Sequence, residues 1–155
     1  FTFEFRSKRP PLDPINAVLS FVYTLSTSEF AAATETVGLD SYIGFCHVAR
    51  SGRSSLACDL VEEVRCIVER FVITLLNLQI IGEDDFEKQI SGAVWLNDEK
   101  KKKVLSHWQE KKRSDIVHPY LKQKIPLGLL PYVQSNLLAK YVRGDIEIYP
   151  PFLQK

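Results

Sequence analysis

A chain of 155 residues with 45% hydrophobic and 25% charged residues has the composition of a globular domain with a real core, which excludes disordered and fibrous proteins. Its 20 basic and 19 acidic residues give a net charge of +1, which by itself argues neither for nor against nucleic-acid binding. No apolar run approaches the roughly 20 residues that span a bilayer, so no membrane segment is predicted.

The cysteines and the start of the chain bear on its cellular setting. Cys46, Cys58 and Cys66 are odd in number and lack CxxC spacing, which indicates small semi-buried side chains rather than a disulfide framework or a zinc site. No secretory leader opens the sequence, and we expect a reducing, cytoplasmic location. Because the chain starts at Phe1 and contains no methionine, we also expect it to be one part of a longer gene product.

The first predicted helix carries its own start signal. Asp13 can act as the N-cap, and Pro14 suits the first helical position, where its missing N–H is harmless. The apolar residues that follow keep helical spacing up to a stop near Gly38: Ile15, Val18, Leu19, Val22 and Leu25. The prolines at residues 10–11 force extended backbone before them, so residues 1–13 are predicted to form an extended arm.

A second, long helix is predicted after the linker GLDSYIGFCH. Ser54 or Ser55 would cap it, and it would run through LACDLVEEVRCIVERFVITLLNLQ, to residue 79. Its helical wheel has an apolar side formed by Leu60, Val64, Ile67, Val68 and Phe71. The opposite side carries Asp59, Glu62, Glu63, Cys66 and Arg70. The carboxylates therefore form a stripe.

The remainder of the chain predicts two further helices. Residues 84–103 are polar and read as irregular, with a Val-Trp-Leu centre that is either a short strand or a loop. Helices are predicted from about Glu99 to Asp115 and from about Leu129 to Arg143, with a proline-broken connection between them and a stop at Gly144. The proline-containing tail, residues 144–155, is predicted to be extended.

His47 and the acidic stripe together raise the possibility of a metal site. His47 lies in the loop entering the second helix, and a loop that folds back along the helix would bring it to the carboxylates. Hard divalent cations prefer carboxylate oxygens, and one imidazole shifts the preference toward manganese without excluding magnesium. A lone histidine is also common as polar filler, and acidic stripes are usually solvated. Spacing does not choose among the carboxylates.

The SGRSS turn suggests a phosphate site beside these residues. Arg53, the nearby Arg50 and the free N–H groups of a helix start would favour a phosphate, and a divalent cation next to a phosphate suits phosphodiester chemistry. The alternative is that GRSS is only a turn and a cap. The basic run at Lys100–Lys103 is more typical of a solvated helix face than of a phosphate track.

Several segments resemble one known family. RPPLDPINAVLSFVYTL, GLDSYIGFCH, GRSSLACDLVEEVR and IPLGLLPYVQSNLLAKYVRGDIEIYPPFLQK are similar to the CRISPR-associated endonuclease and integrase that inserts new spacers into CRISPR arrays. The segment from HPYLKQKIPLGLLPYVQ to YPPF is most similar to members from type I-C systems. The resemblance implies an all-α fold class: an irregular helical bundle over residues 1–155, forming the C-terminal catalytic lobe of a larger protein whose N-terminal β domain is absent here.

The resemblance also implies a site. His47 matches the family's GF-x-H histidine, and Glu62 matches the second acidic ligand of a single Mg²⁺ or Mn²⁺ ion. Asp59 matches an aspartate that supports the site, so the implied catalytic set is His47, Glu62 and Asp59. Glu63 would then be structural or lie behind the ligands. The family's other ligand, a glutamate in a GxEG-type segment, is expected upstream of this chain, and Glu4 does not match it.

The function implied for the intact protein is strand transfer, in which a 3′-hydroxyl of incoming DNA attacks a phosphodiester of the repeat array. The implied partners are double-stranded and branched DNA, a small dimeric CRISPR adaptation protein, a second copy bound through the N-terminal domain and, in some systems, a trimming nuclease. Arg6, Arg9, Arg50 and Arg53 are the candidate DNA-backbone contacts.

Two other interpretations stay open. The chain by itself lacks one metal-ligating glutamate, so we expect it to be inactive alone, and it could equally be a non-catalytic helical module that binds DNA or a partner. A general metal-dependent nuclease of branched DNA would share the site with the integrase and differ only in substrate and partners.

Overall fold

Residues 5–48 and 50–153 are described in a computed structural model of the chain, and these residues are mostly helical. The helices are α1 Pro14–Thr36, α2 Ser55–Val61, α3 Arg65–Asn77, α4 Asp98–Lys112 and α5 Leu130–Val142. Single turns of 3₁₀ helix occur at Glu62–Val64, Glu83–Asp85 and Leu127–Leu129. The predicted fold class is confirmed as mostly helical.

Two antiparallel hairpins interrupt the helices. Their strands are β1 Phe86–Lys88 with β2 Val94–Leu96, and β3 Asp115–Val117 with β4 Lys124–Pro126. The prediction left the Val-Trp-Leu segment as strand or loop, and it is a strand. The other three strands were not predicted. The fourth helix ends at Lys112 and not at Asp115, because Asp115 begins β3.

The chain divides into two compact units, each made of two separate stretches. The first contains the described residues up to Thr24 together with Cys66–Gln109, and the second contains Leu25–Arg65 together with the described residues from Glu110 onward. The prediction of one domain over residues 1–155 stays a prediction. Of the helices in the described part of the chain, none is long and apolar enough to cross a membrane.

The first unit contains the arm and the start of α1. Helix α1 begins at Pro14 as predicted, and Oδ1 of Asp13 accepts the Asn16 N–H at 2.8 Å, which confirms the N-cap. Residues 5–13 contain no helix or strand, while residues 1–4 lie outside the described part. The arm is anchored through Pro11, whose carbonyl accepts the Val94 N–H of β2 at 2.9 Å.

The core of the first unit comes from α1, α3, α4 and the first hairpin. Its buried side chains include Val18, Val22, Val68, Phe71, Val72, Leu75, Leu96, Val104 and Trp108. The rings of Phe71 and Trp108 lie 5.0 Å apart at a tilt of 58°. This tilted contact is a favourable aromatic geometry.

The second unit contains α2, the Glu62–Val64 turn, the second hairpin and α5. Its core includes Phe30, Leu56, Ala57, Leu60, Leu130, Leu137, Leu138 and Phe152. The Leu127 N–H donates to the Ser114 carbonyl at 2.9 Å and fixes the second hairpin to the start of α5. Helix α5 agrees with its predicted bounds to within one residue, and Gly144 follows it with a positive φ of 80°.

The single long helix predicted after residue 54 was wrong in one respect. It is broken at Glu62–Val64, where a 3₁₀ turn separates α2 from α3. The apolar side of the wheel is confirmed, since Leu60 and Val68 are fully buried. The acidic stripe is not uniform, because Asp59 is buried while Glu62 is exposed. A 3₁₀ turn within a helix often marks a hinge or a strained sequence, and this turn carries two of the three carboxylates of the stripe.

Candidate metal centre

The loop that precedes α2 folds back onto that helix and closes around one carboxylate. The backbone N–H groups of Phe45 and Cys46 donate to Oδ2 of Asp59 at 2.7 and 3.0 Å, and the N–H of His47 donates to Oδ1 at 3.0 Å. Nδ1 of His47 lies 2.5 Å from the same Oδ1. The back-folding that the sequence left as a possibility is present, and it brings His47 to Asp59.

Gly44 allows the loop to come this close. A Cβ at position 44 would lie 2.7 Å from Oδ2 of Asp59 and 2.9 Å from the carbonyl carbon of Ser55, both closer than real Cβ atoms approach. Part of the obstruction is helix backbone, which cannot swing aside as a flexible side chain would. The glycine is therefore required by close packing against α2.

The contact with Asp59 orients the imidazole of His47. A carboxylate accepts hydrogen bonds, so the proton of the neutral ring is assigned to Nδ1, and Nε2 keeps its lone pair. The side chain of His47 is 31% exposed. A carboxylate behind one ring nitrogen is the usual way in which proteins fix a histidine that binds a metal through the other.

Asp59 itself is held in the charged form. Burial opposes ionisation, but the hydrogen bonds from the Cys46 N–H, the His47 side chain and the Phe45 and His47 N–H groups outweigh it, and the pKa of Asp59 is lowered from its ordinary value of 3.8. An ionised carboxylate offers about four acceptor sites. Four donors occupy them here, which suits Asp59 to hold His47 in place rather than to bind a metal itself.

Glu62 presents a more accessible carboxylate on the 3₁₀ turn. Its side chain is 51% exposed, and its nearest charged partner is Arg65, whose Nη1 lies 3.4 Å from Oε2. An ion pair this exposed contributes little to stability. Replacing Arg65 by a metal ion as the partner of this carboxylate would therefore cost little stability.

Glu63, the next residue, faces a different environment. Its Oε1 accepts the Tyr149 hydroxyl at 2.6 Å, and its Oε2 accepts the Gln134 side-chain amide at 2.6 Å and the Phe152 N–H at 2.7 Å. Burial, followed by the nearby Glu63 charge, raises the pKa of Tyr149 far above its ordinary value of 10.0, so the phenol stays a donor. The expectation that Glu63 is structural agrees with these contacts.

The donor set suits part of a divalent-metal site. Imidazole nitrogen from His47 and carboxylate oxygen from Glu62 are ligands that Mn²⁺ and, less strongly, Mg²⁺ accept. Across residues 5–48 and 50–153, no three His, Cys, Asp or Glu side chains are arranged to hold a metal ion. In donor chemistry, His47 and Glu62 therefore suit two ligands of a coordination shell that the described residues do not complete.

The arginines singled out in the sequence differ in their surroundings. Arg50 and Arg53 flank a turn in which the Arg53 N–H donates to the Arg50 carbonyl at 3.1 Å, with Gly52 at a positive φ of 71°. Arg9 is exposed. Arg6 instead donates to Oδ1 of Asn16 at 2.6 Å and to Oγ of Ser20 at 3.2 Å. A phosphate contact by Arg6 would have to replace these bonds.

Two other sequence interpretations can be compared with the contacts. Ser54 occupies the N-cap position of α2, as one of the two predicted serines, but its side chain makes no capping bond. Lys100 and Lys101 pair with Asp85 and Asp98 at 3.1 and 2.8 Å. These pairs agree with the interpretation of the lysine run as a solvated helix face.

Sequence reasoning missed three residues that pack against or bond to the carboxylates Asp59 and Glu63. The close-packed Gly44 and the Glu63 partners Gln134 and Tyr149 were not singled out. Gly44 could have been found from the sequence, because it is the first residue of the GF-x-H motif that ends at His47. The partners had none, since they lie 71 and 86 residues beyond Glu63.

A family model described as CRISPR associated protein Cas1 matches residues 1–110 of the chain. The chain belongs to the Cas1 family. A curated relative, CRISPR-associated endonuclease Cas1 2 of Rhodospirillum rubrum, is 50% identical over 156 aligned residues. The alignment includes 100% of this chain and 45% of that Cas1 protein, so the chain spans less than half of the relative's length.

Solved structures support the same fold. A casposase bound to integration product superposes with a TM-score of 0.84 at 24% identity, covering 94% of this chain and 43% of that one. The Cas6-RT-Cas1–Cas2 complex superposes with a TM-score of 0.83 at 25% identity, covering 99% of this chain and 17% of that one. The casposase likeness shows the fold alone, whereas the second structure contains a Cas1 part.

Proposed function

We propose that the full-length protein is a metal-dependent DNA endonuclease and integrase that inserts spacer DNA into a CRISPR repeat array. Membership of the Cas1 family, whose Rhodospirillum relative is named an endonuclease, supports the nuclease class. The observation that carries the proposal is the His47–Asp59 pair. It holds an imidazole with its Nε2 lone pair directed away from the carboxylate that orients it.

In the proposed reaction the 3′-hydroxyl oxygen of the incoming strand attacks a phosphodiester phosphorus in the array. A new P–O bond forms, the existing bond to a 3′-oxygen breaks, and the proton of the attacking hydroxyl is transferred through solvent to the departing 3′-oxygen. Mg²⁺ or Mn²⁺, when bound, supplies positive charge that stabilises the phosphate and lowers the pKa of the attacking hydroxyl. His47 and Glu62 would hold that ion, and the contact with Asp59 would keep His47 in the tautomer that leaves Nε2 free to bind it.

DNA would be held largely by contacts to its backbone. Arg50 and Arg53 lie on the turn just before α2, close in sequence to His47, and they are the first candidates for phosphate contacts. Arg9 is exposed and remains a candidate, whereas Arg6 is already bonded within the protein. Such contacts position the substrate without reading its sequence.

The proposed protein partners follow from the family. The Cas6-RT-Cas1–Cas2 complex supports a small dimeric adaptation protein of the Cas2 type. A second copy bound through an N-terminal β domain and, in some systems, a trimming nuclease complete the proposed assembly. The third metal-ligating residue, a glutamate, is proposed to lie outside this chain.

A second candidate function is a non-catalytic module that binds DNA or a partner protein. It is favoured by one observation, the absence of a three-residue metal cluster among the described residues. A nuclease of branched DNA uses the same ligands as the integrase and differs in its substrate. The assay must therefore separate all three.

The test is a Mn²⁺-dependent assay on the full-length gene product with both a strand-transfer and a branched-DNA substrate. Glu62→Ala should reduce strand transfer by more than the roughly 10–100-fold that the loss of a residue supporting a metal ligand costs, while the exposed Glu87→Ala serves as a matched control that retains activity. Activity on branched DNA alone would favour the nuclease. Wild-type activity in Glu62→Ala would refute the ligand assignment, and an inactive wild type would favour the non-catalytic module.

A further inference from the structure

The two adjacent glutamates of the Glu62–Val64 turn differ in what holds them. Glu62 is half exposed and loosely paired with Arg65, whereas both oxygens of Glu63 are occupied by the donors described above. Glu62 and Glu63 are neighbours on one 3₁₀ turn. Hydrogen bonds that hold the Glu63 side chain therefore also restrict the backbone that carries Glu62.

The donors to Glu63 all come from the end of the second unit. The Gln134 amide belongs to α5, and the Tyr149 hydroxyl and the Phe152 N–H belong to the tail. The tail has no helix or strand between residues 145 and 153. Phe152 is nevertheless 1% exposed, so this irregular segment is anchored on the turn.

Gln134 is held in one orientation. His118 is fully buried, and its Nδ1 accepts the Leu121 N–H at 3.2 Å, which places the ring proton on Nε2. That proton is donated to Oε1 of Gln134 at 2.8 Å, so the amide nitrogen of Gln134 faces Glu63. Flipping the amide would leave buried polar atoms unpaired. The ring of Phe152 packs 5.7 Å from that of His118 and covers this pair.

We propose that Tyr149 and Gln134 are positioning residues that act through Glu63 to set the location of the Glu62 carboxylate. The tail thus forms part of the support of the candidate metal centre. This inference rests on the proposed function, in which Glu62 is a metal ligand. It predicts that contacts in the tail determine metal affinity although no tail residue touches the ion.

The test uses Tyr149→Phe in the full-length gene product, because this change removes one hydroxyl and keeps the ring. Mn²⁺ affinity, measured by electron paramagnetic resonance, should fall about 10-fold, the lower end of what the loss of an outer partner costs. Hydrogen exchange at residues 62–64 without metal should become faster. In strand transfer, kcat should fall with little change in KM for DNA, since no DNA contact is removed.

Phe30→Leu is the matched control, because Phe30 is buried in the same unit and takes no part in these hydrogen bonds. It should lower Tm and leave Mn²⁺ affinity and exchange at the turn unchanged. If Tyr149→Phe leaves Mn²⁺ affinity and exchange at the turn unchanged, or if Phe30→Leu changes them to the same extent, the positioning role is wrong.

A second measurement needs no variant. Coupling between two sites is reciprocal, so Mn²⁺ binding to the wild-type protein should slow hydrogen exchange at the Phe152 N–H. Absence of this protection in a protein that binds Mn²⁺ and needs Glu62 for strand transfer would overturn the positioning role and leave the proposed function intact. If the wild type binds no Mn²⁺, or Glu62→Ala retains activity, the proposed function itself fails.

Discussion

Asp59 carries its charge in a buried position, and four hydrogen-bond donors converge on its two oxygens. A buried charge is tolerated only when its hydrogen bonds are satisfied. Three successive backbone N–H groups, from Phe45 to His47, supply this compensation, as in other anion-binding loops. The loop and the carboxylate stabilise each other, and the direction of the imidazole follows from both.

Gly44→Ala is expected to destabilise this loop. The added methyl group would meet Asp59 and the backbone of Ser55 at distances below 3 Å, and overpacking of this kind costs about 1–3 kcal/mol. Chemical denaturation should show the loss in the free energy of unfolding, and Mn²⁺ affinity should fall with it.

Gly82→Ala is the matched control, since a Cβ there would approach no atom closer than 3.8 Å and φ is −107°, which alanine adopts without strain. It should change the free energy of unfolding by less than about 0.5 kcal/mol. A wild-type free energy of unfolding in Gly44→Ala would show that the loop does not pack as described.

At the scale of elements, the two adjacent glutamates of the Glu62–Val64 turn should differ in how much they contribute to stability. Glu63→Ala should lower the free energy of unfolding by at least about 2 kcal/mol, because the Tyr149 hydroxyl and the Phe152 N–H lose their acceptor and each buried donor left unpaired costs roughly 1–3 kcal/mol. Glu62→Ala should change it by less than about 0.5 kcal/mol, since its pair with Arg65 is exposed.

Thermal and denaturant unfolding of the two alanine variants, alongside the activity assay, checks this difference. Glu62→Ala should be stable and inactive in strand transfer. Equal stability losses in the two variants would contradict the described contacts of Glu63.

Asp85 lies in the Glu83–Asp85 turn and pairs with Lys100 of α4. This contact leads us to expect that stability depends on pH. Burial opposes its ionisation, but the hydrogen bonds from the Gly82 N–H and from Lys100 prevail and lower its pKa below 3.8. A carboxyl whose pKa is lowered in the folded state stabilises the protein at pH values above its pKa in the unfolded state. This contribution is lost as the pH falls through its pKa in the folded state.

The free energy of unfolding of Asp85→Asn should therefore be lower than that of the wild type at pH 7, and the gap should close below about pH 3.8. Denaturant titrations at several pH values measure the gap. Asp84→Asn, an exposed neighbour, is the control and should show a much smaller difference. A gap that is constant down to pH 3 would mean that the Asp85 charge does not stabilise the fold.

Local signals predicted some elements well and others not at all. The start of α1 was predictable because Asp13 and Pro14 act within one turn. The first and second hairpins, each with three-residue strands, have too few residues for an alternating pattern to be recognised. The break at residues 62–64 coincides with hydrogen bonds to residues far along the chain, which helical periodicity cannot register.

At the scale of the whole molecule, the net charge of +1 over these 155 residues supplies no general attraction to DNA, so the proposed DNA binding would depend on local basic residues. If Arg53 contacts a phosphate, Arg53→Ala in the full-length protein should weaken binding equally for different DNA sequences. It should also reduce the slope of log K against log salt by about 0.9.

Fluorescence anisotropy with two unrelated duplexes over a range of salt concentrations measures both effects. Arg143→Ala is the matched control, because Arg143 is paired with Asp145 at 3.0 Å on the surface. An unchanged salt slope in Arg53→Ala would remove this residue from the DNA interface.

The candidate site shows how far sequence reasoning reaches at this scale. A family motif spans His47, Asp59 and Glu62 within 16 residues, and the resemblance implies their roles, whereas spacing alone does not choose among the carboxylates. The contacts add a physical difference between the two acids, since four donors occupy the oxygens of Asp59 while the Glu62 side chain is half exposed. The surroundings of Glu63 could not be predicted, because they come from residues 71 to 89 positions farther along the chain.

The two glutamates of the turn should also have separate evolutionary histories. Glu63, Gln134 and Tyr149 form one hydrogen-bonded group, so homologues that have lost the phenol at position 149 should have replaced the acid at position 63 as well. Glu62 should vary with His47 instead, and both should be lost together in descendants that lack the proposed nuclease activity. In such descendants the Glu63 group should survive, because the fold continues to need it after the chemistry is gone.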